Sequence, residues 1–225
     1  MVADSMTIDV VIPTYITNQK QLGMSIRCIN QAREMTSLKF KLIIVETASN
    51  YLSDQADIHI YERERTTADR SINNGFYCCR GDMTVLLTND VGLKEGWLES
   101  LVECFDKRID CGMATLASTQ FGHTKEDKIE EGVWCSVFMM PREYMEFDEN
   151  YINSWEDSDL LMQTYSRGYK MYRNFNCVVD HDPGQTVYKD PLTQTNYEKN
   201  RAYFMDKWTD SKLDMYQILT KGYVV

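Results

Sequence analysis

The sequence predicts an α/β fold with a mainly parallel central sheet flanked by helices and a smaller second half. Two observations predict it. Continuous apolar runs at residues 8–12, 41–45 and 83–87 read as strands buried on both faces, and stretches with apolar residues at helical spacing separate them. Strand, helix, strand, strand, helix, strand is the order of a parallel sheet with crossover helices.

The first strand covers residues 8–12 and closes at Pro13. Residues 18–34 follow as a helix, with Leu22, Ile26 and Ile29 at helical spacing. The run 41–45 is the second strand, and 58–61 is a weaker, alternating third. Residues 67–79 read as a helix with Ala68, Ile72 and Phe76 on one face, and 83–87 is the fourth strand. Residues 96–105 form an amphipathic helix through Trp97, Leu98, Leu101, Val102 and Phe105. In the second half, 111–117 and 133–140 read as strands, with a polar, mobile loop at 120–131 between them. Residues 156–166 form a helix with Leu160, Leu161 and Tyr165 inward. Residues 171–175 and 177–180 supply further strand, and 195–208 a last helix. No repeat, low-complexity tract or linker interrupts the chain. Residues 1–225 are therefore expected to form one domain with two functional halves, 1–105 and 106–225.

Charge and composition narrow the function. Against 24 Lys and Arg stand 34 Asp and Glu, a net charge of −10. That disfavours tracking of duplex DNA, which needs clustered cations, yet leaves room for a local basic pocket holding one small anion. A hydrophobic content of 43% supports a core. No apolar stretch approaches the roughly 18 residues of a membrane span. Residues 1–5 carry neither a positive n-region nor an apolar h-region, so no secretory signal is expected. The seven cysteines, odd in number and without CxxC spacing, read as reduced, mostly buried thiols of a cytoplasmic protein.

In sheets of this kind ligands bind beyond the carboxyl ends of the strands. Those ends are Pro13-Thr14-Tyr15, Glu46-Thr47-Ala48-Ser49 and Thr88-Asn89-Asp90, all polar. Asp90 can hold a hard divalent cation against a diphosphate. It can equally cap a helix or close an Asx turn. Glu46 can accept hydrogen bonds from a ribose or nucleobase edge, or sit solvated in a turn. Thr14 and Tyr15 can offer backbone groups and a stacking ring, or merely pack a loop. Glu156, Asp157 and Asp159 open a helix, where the macrodipole alone favours negative charge. Asp157 can also take a proton from an acceptor hydroxyl. Glu156 and Asp159 lie three apart and share a face, while Asp157 points elsewhere. His181 ends a strand-like run, a position that suits a metal ligand as well as a plain surface residue. Asp180 and Asp182 stand beside it to orient the ring.

Taken in order, these pieces resemble a family-2 glycosyltransferase of the GT-A (nucleotide-diphospho-sugar transferase) fold. They are Val10-Val11-Ile12-Pro13-Thr14-Tyr15, Ile43-Ile44-Val45-Glu46-Thr47-Ala48-Ser49, Asn73-Asn74-Gly75 with Gly81-Asp82, and Leu86-Leu87-Thr88-Asn89-Asp90-Val91 with Gly96-Trp97-Leu98. Trp155-Glu156-Asp157-Ser158-Asp159-Leu160, Arg167-Gly168-Tyr169-Lys170 and Val179-Asp180-His181 complete them. The resemblance spans residues 8–181, and its weight lies in order and spacing, since no single motif is specific.

The resemblance implies an inverting transfer of sugar from a nucleotide-diphosphate sugar, expected to be a UDP-sugar, to an acceptor hydroxyl. Residues 1–105 would hold the donor and 106–225 the acceptor: a saccharide, a lipid-linked acceptor or a protein. It implies manganese or magnesium on Thr88-Asn89-Asp90. Thr88 replaces the family's first carboxylate, so Asp90 and His181 are left as the metal ligands. Asp157 maps to the catalytic base, with Glu156 beside it. Glu46 maps to a nucleobase contact, and Pro13, Thr14, Tyr15, Asn73 and Asn89 complete the donor pocket. Other readings stay open. A catalytically impaired sugar-nucleotide-binding or scaffold relative suits Thr88 but is opposed by the retention of Asp157 and His181. A base-modifying DNA glycosyltransferase is disfavoured by the acidic balance. A sugar-nucleotide pyrophosphorylase wants a Gly-rich loop with a basic residue after the first strand, and residues 13–18 contain neither Gly nor Arg.

Overall fold

The computed structural model describes residues 6–132, 137–181, 191–211 and 213–220. The chain runs β1 (Ile8–Tyr15), α1 (Gln19–Glu34), β2 (Lys41–Thr47), β3 (Ile58–Glu62), α2 (Ala68–Cys78), β4 (Met83–Leu87), β5 (Val91–Gly92) and α3 (Trp97–Lys107). It continues through β6 (Cys111–Ser118), β7 (Ile129–Glu131), β8 (Val137–Pro141), α4 (Glu156–Ser166), β9 (Lys170–His181), α5 (Pro191–Trp208) and α6 (Met215–Thr220). The strands join in the order β3-β2-β1-β4-β8-β6-β9-β5, and β7 pairs with β9. β1, β2, β3, β4, β6 and β9 run one way; β5, β7 and β8 run the other. The expected α/β architecture is present, with a parallel first half and a mixed second half.

Side-chain alternation along the strands feeds two apolar layers. Val10, Ile12, Leu42, Ile44, Val85 and Leu87 pack with Ile29 of α1 and with Trp97 and Leu101 of α3. Val11, Ile43, Val45 and Leu86 pack with Ile72 and Phe76 of α2, Leu160 and Leu161 of α4 and Phe204 of α5. Both sheet faces are covered, which is why the strand sequences are apolar at every position rather than at alternate ones. α2 lies hard against the sheet at Gly75, where a Cβ would come within 2.4 Å of Val11 Cγ1 and 3.0 Å of Val45 Cγ2.

Several boundaries differ from the sequence reading, each for a physical reason. β1 does not close at Pro13 but continues to Tyr15, paired with β2. The last pair between β1 and β4 is Val11 with Leu86, so Pro13 lies on a stretch with one neighbour fewer, where proline is tolerated. The polar segment 120–131 is not a loose loop. Its backbone bonds to β9 through Glu126 N to Phe175 O and Phe175 N to Lys128 O, and it ends in β7. The two predicted strands at 171–175 and 177–180 are one strand with a register shift, Asn174 pairing with Leu116 and Val178 with Ala117. α5 begins earlier than residue 195, at Pro191. Residues 133–136 of the predicted 133–140 strand lie outside the described residues.

Candidate active site

Asp90 and His181 are 91 residues apart in the chain and meet in the structure, with Asp90 Oδ2 3.5 Å from His181 Nε2. The register explains it. β5 pairs antiparallel with the end of β9, Val91 opposite His181 and Gly92 opposite Asp180. Asp90, immediately before β5, is thereby set against the imidazole. The His181 Nδ1 edge meets Gln120 Oε1. With Nδ1–H donating there, Nε2 turns its lone pair toward the carboxylate, so two electron-rich atoms face each other. A shared proton or a cation reconciles them. Thr88, at the position of a missing carboxylate, donates its hydroxyl to Asp90 Oδ1 at 2.8 Å and so fixes the remaining one. Asp180 pairs with Lys94, not with the imidazole, and Asp182 lies outside the described residues. No cluster of three or more His, Cys, Asp or Glu side chains suited to a metal occurs among the described residues. Asp90 and His181 thus bring one carboxylate and one imidazole together at this corner.

The donor-side candidates divide. Glu46 is fully buried, and its carboxylate is consumed by the fold. Oε1 accepts from Ser49 Oγ at 2.8 Å and Tyr51 N at 2.7 Å; Oε2 accepts from Leu52 N at 3.0 Å and lies 3.1 Å from His59 Nε2. Burial would raise its pKa, but these bonds outweigh burial and hold it below the ordinary value. Through these bonds Glu46 staples the turn after β2. Asn73 is engaged by the chain in the same way. It is buried, and its amide donates to Phe147 O at 2.8 Å and accepts from Phe147 N at 2.9 Å. It pins the 145–149 segment to α2. Asn89 donates to Ser25 Oγ at 2.8 Å, which anchors the Thr88-Asn89-Asp90 turn to α1. Pro13 and Thr14 lie within β1 rather than in a loop beyond it, and the Thr14 hydroxyl donates to Val45 O. Tyr15 ends the strand, and the Arg65 guanidinium lies 4.8 Å from its ring centre. Arg65 was not singled out in the sequence; it puts an exposed cation at the end of β1 in an acidic protein.

The start of α4 gathers a second set of carboxyls. Trp155, the residue before the helix, has φ 74°, and Asn153 has φ 56°, both in the left-handed region. Two neighbours hold this turn. From α2, Ala68 N donates to Asn153 Oδ1 at 2.7 Å, and Asn153 N donates to Asp69 Oδ2 at 3.0 Å. From α5, the Asn200 amide donates to Ile152 O and Ser154 O, both at 3.0 Å. The Trp155 ring packs on Phe204 and Tyr197 of α5, at 5.1 and 5.8 Å between centroids.

The turn presents Glu156 and Asp157 differently. Asp157 is open to solvent on one side. Its Oδ1 accepts from Ser158 N at 2.6 Å and Ser158 Oγ at 3.3 Å. Enclosure by protein on its other sides pushes its pKa up, against the pull of those bonds. Glu156 Oε2 is buried with no hydrogen-bond partner. Burial, then the charges of Asp69 and Asp157, push Glu156 well above the ordinary range. Asp69, which the sequence reading passed over, is fully buried, and its Oδ1 is also without a partner. Its only sequence signal is an acid in the first turn after the Thr67 cap, which any helix start can carry. Asp159 belongs to the fold instead. It accepts from Tyr151 OH, Trp208 Nε1, Gln163 Nε2 and Lys207 Nζ, and so ties α4 to α5.

Comparison with known proteins bears on both sets. A family model described as glycosyl transferase family 2 matches residues 9–171. No curated protein matches. Among solved structures, the chain is similar to the mannosyltransferase PcManGT from Pyrobaculum calidifontis in complex with GDP-Man and Mn2+, with 13% identity and a TM-score of 0.65 over 92% of this chain and 65% of that one. It is similar to GalNAc-T7 with UDP, GalNAc and Mn2+, with 11% identity and a TM-score of 0.65 over 92% of this chain and 49% of that one. It is also similar to S. aureus TarS 1-349 in complex with UDP-GlcNAc, with 10% identity and a TM-score of 0.72 over 96% of this chain and 71% of that one. The chain thus spans less than two thirds of the first two. At these identities the likeness establishes the GT-A fold.

Proposed function

The chain belongs to glycosyltransferase family 2, and from that premise we propose that it is a working inverting transferase that moves a sugar from a nucleotide-diphosphate sugar to an acceptor hydroxyl. The observation that carries this reading is Asp157: a carboxylate on a clamped turn, open to solvent, with a raised pKa and with Oδ2 accepting no hydrogen bond among the described residues. A base for a sugar hydroxyl needs a free oxygen and a proton affinity above that of an ordinary Asp. Asp157 Oδ2 takes the proton as the acceptor oxygen attacks the anomeric carbon and the nucleoside diphosphate leaves with the bonding pair. Burial and the charges of Asp69 and Asp157 push the pKa of Glu156 up beside it, which disfavours a second charge in the site.

At the donor end, Asp90 and His181 would hold manganese or magnesium, with Gln120 and Thr88 orienting them. The cation's contribution when bound is neutralisation of charge on the diphosphate. Arg65 beside Tyr15 adds a second cation for the same anion. A UDP-sugar is the donor we favour, and a saccharide, lipid-linked or protein hydroxyl the acceptor. The proposal extends to a cytoplasmic enzyme built as one domain, with residues 1–105 holding the donor and 106–225 the acceptor. No helix among the described residues is long and apolar enough to cross a membrane. The test is a thermal-shift screen of UDP-, GDP- and TDP-sugars with and without manganese, followed by NMR of the product anomer. An inverted anomeric centre supports the proposal. Stabilisation by a donor with neither transfer nor hydrolysis would make the chain a binding relative.

A further inference from the structure

We propose that Asp69 of α2 is a positioning residue for Asp157. As a neutral acid it clamps the left-handed turn that presents Glu156 and Asp157, and its second oxygen shares that buried pocket. The inference rests on Asp157 being the base. Three observations carry it. Asp69 Oδ2 accepts from Asn153 N at 3.0 Å, while Asn153 Oδ1 accepts from Ala68 N at 2.7 Å, a reciprocal pair that fixes a residue with φ 56°. The next residue but one, Trp155, also has positive φ and leads directly into Glu156. Non-glycine residues hold such angles only when the surroundings determine them. Finally, Asp69 Oδ1 and Glu156 Oε2 are both buried without a partner. Two bare carboxyl oxygens in one electrostatic neighbourhood are costly unless a proton resides on one of them.

The charged groups around Asp69 agree. Burial pushes it from an ordinary 3.8 up to about 7, against the Asn153 N–H, with the charges of Asp157 on α4 and of Glu149 in the preceding loop adding to the rise. Glu156 on α4 is raised in turn by Asp69 and Asp157. No cationic side chain is among these causes. The protons of this cluster therefore belong to it jointly, and Asp157 is its exposed member. Once Asp69 ionises, its charge repels Glu156 and Asp157 across the turn, against the Asn153 N–H bond, which itself favours the anion.

Two variants and two readouts test this. Asp69→Asn keeps an oxygen for Asn153 N and puts N–H groups where the acid proton was, with no ionisation. Asp69→Ala removes both. Wild-type kcat/KM is expected to fall as pH rises through about 7. Asp69→Asn should lack that limb and retain transfer, and Asp69→Ala should lose kcat by about 10²-fold. Thermal unfolding supplies a readout independent of turnover. An acid that keeps its proton longer when folded than when unfolded makes stability fall as pH rises between the two values, here about 4 to 7. Asp69→Asn should flatten that slope. If Asp69→Asn shows the wild-type slope and the wild-type kcat/KM profile, the proposal is overturned, whether or not Asp69→Ala folds. The underlying reading fails separately. An active Asp157→Asn protein removes the base assignment, and the unfolding slope still reports whether Asp69 holds the proton.

Discussion

Glu46, in the turn after β2, and Glu156, at the start of α4, are both glutamates with carboxyl oxygens out of water, and their surroundings drive them in opposite directions. Glu46 is met by two backbone N–H groups, a hydroxyl and an imidazole, and its pKa falls. Glu156 keeps one buried oxygen unpartnered, beside Asp69 and Asp157, and its pKa rises. Desolvation opposes ionisation in both; the hydrogen bonds and the neighbouring charges differ. A carboxylate whose lone pairs are spent on the chain stabilises a turn. One that the fold leaves unpaired among like charges is kept at a cost to stability, and such costs concentrate where chemistry is done. By this criterion we propose that Glu46 serves the fold and the α4 cluster the chemistry.

The largest effect should come from the functional side. Asp157→Asn keeps the Ser158 cap acceptor but cannot take a proton. Turnover should drop by about 10²–10⁴-fold, while nucleotide affinity, measured by calorimetry, should stay within experimental error. A folded variant with normal turnover would place Asp157 with Glu46 as a structural carboxylate.

Next is the cation corner. Asp90→Ala should abolish the manganese dependence of nucleotide binding without unfolding the protein. Gln120→Leu, which removes only the acceptor at His181 Nδ1, should weaken that dependence by about 10–100-fold, the usual worth of a partner that orients a metal ligand. Equal manganese dependence in wild type and Asp90→Ala would leave Asp90 and His181 as a plain ion pair.

How far this comparison was legible in the sequence depends on range. The strands β1, β2 and β4 and helices α2, α3 and α4 could be read because their apolar patterns are local. Asp90, His181 and Asp157 could be nominated from their positions at element ends. The meeting of Asp90 with His181 could not, because it depends on a β5–β9 register that sets Val91 opposite His181. The structural use of Glu46 was hidden for a related reason. The atoms that use it, Tyr51 N and Leu52 N, are backbone groups, and no residue type advertises which backbone N–H will turn inward. Asn73 shares that fate, spent on the backbone of Phe147. Asp69 was invisible because an acid in the first turn of a helix has a complete local explanation, and only its burial beside a segment from the other half gives it another role.

A third substitution isolates the structural glutamate. Glu46→Gln leaves the size nearly unchanged but replaces one acceptor oxygen by a donor in a site where the Tyr51 and Leu52 backbone N–H groups each need an acceptor. At least one buried N–H then loses its partner, for a loss of about 1–3 kcal/mol read by urea unfolding. The loss has a pH signature. A folded pKa below the ordinary 4.5 means that Glu46 contributes stability above that pH, and the contribution disappears as pH falls through the folded value. The difference between wild type and variant should therefore shrink in acid. If the folded variant instead binds nucleotide more weakly with unchanged unfolding, Glu46 returns to the donor site.

The same substitution at Glu156 should have the opposite sign, and it is the smallest effect expected. Here the folded state holds the proton more tightly than the unfolded chain, since burial and the charges of Asp69 and Asp157 raise the pKa well above 4.5. Between 4.5 and the folded value the native protein binds more protons than the unfolded one, so stability falls as pH rises through that interval. Glu156→Gln cannot ionise and should escape the fall. Below pH 4.5 the variant and wild type should unfold at similar temperatures, because both carry a neutral group. At pH 8 the variant should unfold higher, the gain growing steadily between. A Glu156→Gln protein less stable than wild type at pH 8 would mean that Glu156 is ionised and paired in the native state, and the contrast with Glu46 would be lost.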